Sequence, residues 1–224
     1  MHSRSAEKRR AELVELYREA QACARCPLSK TRTQVVFGSG NADADLMFVG
    51  EAPGMHEDQQ GLPFVGRAGQ LLNKLLEEIG LARDDVFIAN VLQSRPPGNR
   101  DPQPDEIDAC KPFLHRKVEL IEPKVICTLG NFSTKLLTRS QRGITSVHGR
   151  PQVHELGGRL LRLYPLFHPA AALRSTKTLE ELRADFARLP ALLEEPPPMP
   201  IGAVAPLAAV AAAPSGQPPP TLFD

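Results

Sequence analysis

The 224-residue chain has no long apolar run, few aromatic side chains and only four cysteines. No stretch is apolar for long enough to span a membrane. The charged start, with Arg4, Lys8, Arg9 and Arg10, is not followed by the apolar segment of a secretory signal peptide. We therefore expect a cytoplasmic protein, which excludes integral membrane proteins and disulfide-rich secreted domains.

Charge is nearly balanced over the whole chain but not along it. The net charge is +1, from 27 basic and 26 acidic side chains. Residues 190–224 contain no lysine or arginine and three acidic residues, Glu194, Glu195 and Asp224. Residues 1–189 therefore hold 27 basic and 23 acidic side chains, a balance of +4. This mild excess is compatible with a nucleic-acid partner without indicating one.

The C-terminal segment is rich in proline, alanine and glycine from residue 194 onward. Such a segment cannot bury enough apolar surface to offset its chain entropy. We therefore expect a folded domain over residues 1–193 and a disordered tail over 194–224. The tail ends in Thr221-Leu222-Phe223-Asp224, which loosely resembles peptides that dock on sliding clamps. A fortuitous apolar end is the alternative interpretation.

Apolar runs and amphipathic segments alternate along residues 5–193. Alternation of this kind predicts an α/β fold, in which a mostly parallel central sheet of about four strands forms the middle of a three-layer α/β/α sandwich. The strands are predicted at LMFVG (46–50), VFIANV (86–91), KVICTLG (124–130) and LYPLF (163–167).

Helical periodicity and capping residues predict helices between the strands and at both ends of the domain. The first helix should turn Leu13, Leu16, Tyr17 and Ala20 inward. A hairpin is expected over about 144–162. A second helix is predicted over 70–79 with a cap at Gly80, and a third from about Asp105 with a kink or new turn at Pro112. A short helix is predicted near 131–138. The last helix should run from a capping box at Thr178–Glu181 to about 193.

Polar motifs follow the predicted strands. GEAPG (50–54) follows the first strand, HPAA (168–171) follows the fourth, and Asn90 ends the second. Ligands of open α/β sheets bind beyond the carboxyl ends of the strands. A buried asparagine at such an end needs hydrogen-bond partners. We therefore expect Glu51, Asn90 and His168 to face one pocket.

The four cysteines form two pairs of different character. Cys23 and Cys26 form a CxxC, a credible pair of metal ligands, whereas Cys110 and Cys127 lie in a helix and a strand 17 positions apart. In a reducing compartment metal ligation is favoured over disulfides. Cys127 taken alone is more typical of a core cysteine. Four thiolates would suit zinc or a [4Fe–4S] cluster, and spacing does not choose between them.

Over about residues 10–190 the chain resembles the family 4 uracil-DNA glycosylases, the iron–sulfur branch of the uracil-DNA glycosylase superfamily. The resemblance implies a three-layer α/β fold, a [4Fe–4S] cluster on Cys23, Cys26, Cys110 and Cys127, and hydrolysis of the uracil N-glycosidic bond in single- and double-stranded DNA. It rests on CxxC (23–26), GEAPG (50–54), GLPFVGRAG (61–69), Asn90, RPPGNRDP (95–102), the Cys110/Cys127 pair and HPAA (168–171).

The resemblance also implies roles for individual residues. His168 would donate a hydrogen bond to uracil O2, where negative charge develops as the base departs. Asn90 would pair with uracil N3–H and O4 and so reject cytosine. Phe64 would stack on the flipped base. Glu51 would orient or activate the water, or shape the pocket, and the backbone amide of Ala52 would hold O2 or the water.

Further positions carry weaker expectations. Glu57 and Asn99 match other polar positions of the family's site, although Glu57 and Asp58 also fit a solvated charge run. Arg95 and Arg100 suit phosphate contacts. Two more DNA contacts are expected after HPAA: Arg174, and Leu173 as a wedge into the base stack, with a first-turn core leucine as the alternative for Leu173.

The chain departs from the family pattern before RPP. The family commonly has Lys-Cys there, whereas this chain has Gln93-Ser94, which removes a positive charge expected beside the DNA path. The basic insertion of the covalently trapping relatives is not visible between Asn99 and Cys110, which favours turnover over covalent trapping. We expect a monomer. A non-catalytic or covalently trapping uracil-DNA binding protein is the alternative, and a zinc-stabilised interaction protein is a third.

Overall fold

A computed structural model describes residues 5–198 of the chain. Within that range, helices and strands alternate as the sequence pattern predicts. The strands are β1 (Ser39–Gly40), β2 (Leu46–Gly50), β3 (Phe87–Asn90), β4 (Val125–Leu129), β5 (Gln152–Leu156) and β6 (Arg159–Leu166), and the helices are α1 (Ala6–Ala22), α2 (Met55–Gln60), α3 (Arg67–Glu78), α4 (Pro104–Ile121), α5 (Asn131–Thr138), α6 (Ile144–Val147), α7 (Pro169–Ala172), α8 (Thr176–Phe186) and α9 (Leu189–Glu194).

The strands form one sheet in the order β1-β3-β2-β4-β6-β5. The inner four strands run parallel, and β1 and β5 pair antiparallel at the two edges. The predicted α/β class and parallel core are confirmed, with six strands in place of about four. The two additional strands have no apolar run, because β1 has two residues and β5 alternates between partly exposed and exposed side chains over its first four.

Alternate residues of each inner strand point to opposite sides of the sheet. Met47 and Val49 of β2 pack with α1 and α4, whereas Leu46 and Phe48 pack with α3 and α8. The sheet therefore separates two cores, which we call the α1/α4 face and the α3/α8 face. Helix α5 covers the first face, and α6, α7 and α9 cover the second.

Helix α1 begins at the serine that caps it and buries one stripe. The Ser5 hydroxyl accepts a hydrogen bond from the Lys8 amide at 3.3 Å. Leu13, Leu16 and Ala20 are buried as predicted. Tyr17 was predicted inward but is 40% exposed, with its ring edge-on to Phe37 at 5.5 Å between centroids.

Helix α4 begins at Pro104 and continues through Pro112 without a break in the helix, so the predicted new turn is not observed. Its first turn is tied down by Glu106, which accepts a hydrogen bond from the Gln103 amide at 2.8 Å. Proline at the first helical position costs no hydrogen bond, since that N–H has no partner in a helix.

The last predicted helix is two helices. Helix α8 is capped by Ser175, whose hydroxyl accepts from the Thr178 amide at 3.2 Å, so the expected cap at Thr178 is wrong by three residues. The chain leaves α8 after Phe186, and α9 begins at Leu189 with Pro190 in its first turn. Pro190 has no backbone N–H to donate to the Phe186 carbonyl four residues before it, which accounts for the interruption.

Other helix predictions hold with shifted ends. Helix α3 begins three residues before the predicted start and is followed by Gly80 at φ 77°. The expected hairpin is formed by β5 and β6 around Gly157 and Gly158, both with positive φ, after the short helix α6. The predictions of a disordered tail and a clamp peptide concern residues that lie outside 5–198, apart from 194–198. No helix in the described part of the chain could cross a lipid bilayer.

Candidate active site

Polar residues of three separate segments meet at the carboxyl edge of the parallel strands. Gly50, which ends β2, lies in register with Asn90, which ends β3. His168 follows β6, which is separated from β2 by the single strand β4. The backbone continues this pairing past the strands, because the Leu92 amide donates to the Glu51 carbonyl at 3.0 Å.

Gly50 allows two of the predicted site residues to pack against bare backbone. A Cβ atom at this position would lie 2.4 Å from Asn90 Oδ1 and 2.8 Å from Phe64 Cζ, both closer than real contacts. The Phe64 ring also stacks near His168, with 5.6 Å between centroids and 29° between planes. Phe64, Asn90 and His168 are therefore neighbours in one site.

The backbone of Phe64 is held in an uncommon conformation. Its φ of 52° lies in the left-handed region, where residues other than glycine are rare and need support from their surroundings. Glu57 provides that support, since its Oε1 accepts from the amides of Val65 at 2.9 Å and Gly66 at 3.0 Å. The Arg83 guanidinium adds a bond to the Phe64 carbonyl at 3.3 Å. The orientation of the aromatic ring is thus fixed by the loop.

Asn90 is buried with an unused acceptor. The residue is 2% exposed, and its Oδ1 has no hydrogen-bond partner among the described residues. Leaving a buried polar group unpaired costs about 1–3 kcal/mol, so such groups are rare in native folds. The site is therefore arranged for a ligand that presents a hydrogen-bond donor to Asn90.

His168 is held as a neutral imidazole. The Ala170 amide donates to Nδ1 at 3.1 Å, which leaves the ring proton on Nε2. Burial lowers the pKa of His168 to about 4, and the carboxylate charge of Glu57 opposes that shift only in part. A neutral N–H donor is therefore available at ordinary pH.

Glu51 is half-buried directly after β2, with Ala52 beside it. Burial raises the pKa of the Glu51 carboxyl, and the negative charge of Asp101 raises it further. Ala52 packs against the α1/α4 face. The first polar motif therefore supplies one carboxyl group whose ionisation is disfavoured by its surroundings.

The acidic pair after GEAPG is built into the fold. Glu57 binds the loop that carries Phe64, and Asp58 is 5% exposed and accepts from the Thr33 amide at 3.0 Å. The alternative of a solvated charge run is therefore wrong for this pair. Asn99, the other weaker candidate, is exposed and accepts at Oδ1 from Arg95 Nε at 2.8 Å.

The residues predicted to contact DNA differ in whether their side chains are exposed or already paired within the protein. Arg100 forms a two-point ion pair with Glu106, at 2.9 and 2.5 Å, and Glu106 is 1% exposed. Leu173 is 41% exposed after α7, so the alternative of a core leucine is wrong. Arg174 follows it and is exposed.

Gln93, one of the two residues at which the chain departs from the family pattern, does not lie on the surface. Gln93 is 4% exposed, and its Oε1 accepts from the buried Lys117 Nζ at 3.0 Å. Lys117 also donates to the Phe37 carbonyl. The expectation that Gln93 removes a charge beside the DNA is therefore wrong, because this side chain pairs with a lysine inside the protein.

The four cysteines lie on both sides of the sheet, three on one face and one on the other. Cys110 is buried in the core of the α1/α4 face, with the half-buried Cys23 and Cys26 packed against it. Cys127 is fully buried on the α3/α8 face, in register with Phe48. The sheet therefore separates Cys127 from the other three, and the expected four-cysteine ligand set does not fit this fold.

The three thiols of the α1/α4 face have polar surroundings. Burial disfavours ionisation of Cys23, but hydrogen bonds from the backbone and side chain of Arg25, with the charge of Arg32, hold the pKa of its thiol below the ordinary value. The Gln93 amide hydrogen-bonds to the Cys110 thiol. No three His, Cys, Asp or Glu side chains within residues 5–198 are arranged to hold a metal ion as they stand.

One buried pair was not anticipated from the sequence. His148 Nδ1 lies 2.7 Å from Asp185 Oδ2, and the His148 ring packs 4.4 Å from that of Phe167, which precedes His168. The Tyr164 hydroxyl donates to the Asp185 carbonyl at 3.0 Å. The pair supports the strand end that carries His168. No local pattern could have revealed it, because its members lie 37 residues apart.

Comparison with known proteins agrees with this site. A family model described as the uracil DNA glycosylase superfamily matches residues 37–189. A type-4 uracil-DNA glycosylase of Sulfurisphaera tokodaii is 44% identical over 182 residues, 79% of this chain and 83% of that protein. Type-4 enzymes of Archaeoglobus fulgidus and Thermotoga maritima are 43% identical (79% of this chain, 91% of that protein) and 46% identical (74% and 86%). The chain therefore belongs to the uracil DNA glycosylase superfamily, as a member of its type-4 group.

Proposed function

We propose that this protein is a uracil-DNA glycosylase, which hydrolyses the bond between uracil and deoxyribose in DNA and leaves an abasic site. The observation that carries the proposal is the buried, unpartnered Oδ1 of Asn90 beside Phe64 and His168. The target base lies inside a stack, so the enzyme must flip it into the pocket or act on single strands.

Asn90 selects the base. Its Oδ1 accepts from uracil N3–H, and its amide nitrogen donates to O4. Cytosine presents an acceptor and a donor at the corresponding atoms, so both groups of Asn90 would stay unpaired in a buried site. The face of Phe64 supplies a stacking surface that tolerates any base, which leaves discrimination to the amide.

His168 stabilises the departing base. Bond cleavage places positive charge on the sugar and negative charge on uracil, which accumulates at O2. The neutral imidazole donates through Nε2–H to O2, and a fixed donor of this kind acts without reorganisation in the transition state. Because its pKa is about 4, the ring does not need to lose a proton before it acts at neutral pH.

We assign the hydrolytic water to Glu51 and the adjacent backbone amide of Ala52. The half-buried carboxyl of Glu51 lies at the end of the strand paired with Asn90, on the same edge as His168. A carboxylate there accepts a hydrogen bond from the water that attacks the sugar cation, and its raised pKa suits proton acceptance.

For DNA we propose contacts from Arg95, Leu173 and Arg174. Arg174 and Leu173 are exposed beyond His168, where a flipped nucleotide would enter, and Leu173 has the apolar character of a wedge between bases. Arg100 contributes less, since Glu106 already neutralises its charge. The cytoplasmic location, the monomeric state, the domain limit at 193 and the clamp peptide stay predictions.

We also propose that an iron–sulfur cluster is bound on the α1/α4 face, where three of the four cysteines lie. Such a cluster would join the loop after α1 to α4. No step of the reaction passes through it, because the residues assigned to the reaction lie at the carboxyl edge of the sheet.

A uracil-containing oligonucleotide tests the function directly. After incubation with the protein and treatment with alkali, we expect strand cleavage at uracil in single- and double-stranded substrates, over many turnovers, and none at cytosine. A denaturant-stable protein–DNA adduct would indicate the trapping alternative, and binding without cleavage would indicate a non-catalytic protein.

A further inference from the structure

A groove outside the candidate active site runs between α4 and α5, on the α1/α4 face. Three cavities of about 510, 280 and 270 Å³ follow one another along it, and Arg139 lines all three. We call this feature the α4/α5 groove. Its floor consists of buried leucines of the α1/α4 core, namely Leu114, Leu137 and Leu156.

The rim of the α4/α5 groove carries unpaired positive charge. Lys111, Lys135 and Arg139 line it, and none of the three has an ion-pair partner within residues 5–198. Glu155 is a carboxylate on the same lining, so a positive excess is left. Burial lowers the pKa of His115, and the charges of Lys111 and Arg139 lower it further, which shows that both cations act on the same space.

Arg139 is held in a backbone conformation that disfavours arginine. The residue caps the C-terminus of α5 with φ 52° and ψ 31°, in the left-handed region where glycine is usual. Residues strained in this way are concentrated at ligand sites. In this fold the strained residue is an exposed guanidinium at the point where three cavities meet.

The α4/α5 groove begins beside the candidate active site. Val91, which lines the middle cavity, directly follows Asn90. Phe132 lines the largest cavity and is the second residue of α5. This helix begins after Gly130, where a Cβ atom would lie 3.1 Å from His168 Cβ. From there the groove follows the eight residues of α5, over about 12 Å.

The lining of the groove fits a single strand of nucleic acid. Such a strand offers phosphates to cations and bases to apolar or aromatic side chains, here Ile107, Phe132 and Leu136. The cavities have the size of small-molecule pockets, which excludes a duplex. An acidic protein segment would also match the charge. The continuity with the candidate active site favours DNA, because a substrate strand already crosses that edge.

We propose that the α4/α5 groove binds the single-stranded continuation of the DNA beyond the target uracil, with Lys111, Lys135 and Arg139 on its phosphates. This site is additional to the contacts of Arg95, Leu173 and Arg174. The inference goes beyond the proposed function, since the groove can bind DNA whether or not the protein releases uracil. Its consequence is tighter binding of strands that extend from the uracil in one direction.

The binding test compares the full-length wild type with Lys135→Ala/Arg139→Gly, in which glycine retains the left-handed turn. The matched control is Lys8→Ala/Lys74→Ala, which removes two exposed cations of α1 and α3 outside the groove. The probe is a fluorescent, uracil-free oligothymidylate of about 20 nucleotides, titrated at several salt concentrations. We expect the groove variant to bind about tenfold more weakly, with a salt slope smaller by about one, and the control to bind like the wild type.

Uracil release provides a second measurement. Two single-stranded substrates of about 20 nucleotides carry uracil near the 5′ end or near the 3′ end, and a third has only about five nucleotides. We expect the groove variant to raise KM about tenfold for one of the two long substrates. The kcat on all three substrates, and KM for the short one, should match those of the control.

Several results would overturn the proposal. Equal oligothymidylate binding by the groove variant and the control would exclude DNA from the groove. An equal rise of KM on the short substrate would show that the substitutions disturb the active site instead. If circular dichroism shows that the double variant is unfolded, Lys111→Ala on α4 tests the same groove through the same salt slope. Groove-dependent binding by a protein that releases no uracil would support the groove and contradict only the glycosylase function.

Discussion

Individual side chains at the carboxyl edge of the sheet have opposite effects on stability and function. Asn90 keeps an unpaired buried oxygen, Phe64 keeps a left-handed backbone, and His168 keeps a depressed pKa. The first two features cost folding free energy in the absence of DNA, and the third does so only at acidic pH. Substitutions at these positions should therefore separate activity from stability.

Asn90→Val should lower kcat/KM on uracil DNA by about 10²-fold, because it removes both hydrogen bonds to the base. The melting temperature should stay equal or rise, since the variant no longer buries an unpaired oxygen and valine suits a strand end. Steady-state kinetics and thermal unfolding check the two effects. Asn41→Ala, in an exposed turn, serves as the control. A less stable Asn90→Val protein would show that Oδ1 has a partner in the free enzyme.

Gly50→Ala should inactivate the enzyme while adding a single methyl group. The new Cβ would lie 2.4 Å from Asn90 Oδ1 and 2.8 Å from the Phe64 ring, so both must move. Displacements of about 1 Å in a catalytic site reduce rates by about 10²-fold. Gly143→Ala is the matched control, because the nearest atoms to its Cβ are at 3.9 Å and its φ is −73°. Equal activity of the two variants would contradict the proposed pocket.

His168 should make stability depend on pH in the acidic range. Its pKa is lowered from 6.5 to about 4 on folding, so the folded state favours the neutral ring. The stability is complete above pH 6.5 and is lost as the pH falls through 6.5 toward about 4, by at most about 3 kcal/mol. Urea unfolding at several pH values should show a smaller loss for His168→Asn than for the wild type. Parallel curves would show that the imidazole protonates equally in both states.

Between residues and the whole fold, the elements of the site are held by side chains that reach across loops. Glu57, in α2, binds the amides that follow Phe64, and Arg100 reaches Glu106 in the first turn of α4. Both carboxylates lie at turns where backbone N–H groups need partners. These contacts hold the segments next to the site residues in place.

Glu57→Ala should free the loop that carries Phe64 and reduce kcat/KM by about tenfold or more through loss of positioning. The free energy of unfolding should fall by about 1–2 kcal/mol for the two lost hydrogen bonds. Glu57→Gln keeps an acceptor oxygen and should recover much of the activity. If the glutamine variant is as impaired as alanine, the charge of Glu57 matters more than the loop contacts.

Arg100→Ala should act on α4 more than on DNA. The substitution leaves Glu106, which is 1% exposed, without its ion-pair partner, and we expect a lower free energy of unfolding. The double variant Arg100→Ala/Glu106→Gln should recover part of that loss.

Arg95→Ala, by contrast, should weaken DNA binding with little change in melting temperature, as measured by salt-dependent binding and thermal unfolding.

Across the whole molecule, the sequence was sufficient where local pattern decides the outcome. Buried strands followed by polar motifs predicted the parallel sheet and the meeting of Asn90 and His168 at one edge. The sequence was insufficient to show which side of the sheet a residue faces. The sequence places Cys110 in a helix and Cys127 in a strand, but only the alternation within β4 shows that they face opposite cores. Contacts between distant segments, such as His148 with Asp185 and Gln93 with Lys117, leave no local mark.

The unpaired oxygen of Asn90 also bears on how the catalytic cycle ends. Free uracil carries the same N3–H group as the base in DNA, so breaking the sugar bond does not remove the attraction between Asn90 and its ligand. The liberated base should linger and act as a competitive inhibitor, and it should raise the melting temperature in proportion to its occupancy. Release of free uracil would then slow turnover as the product accumulates.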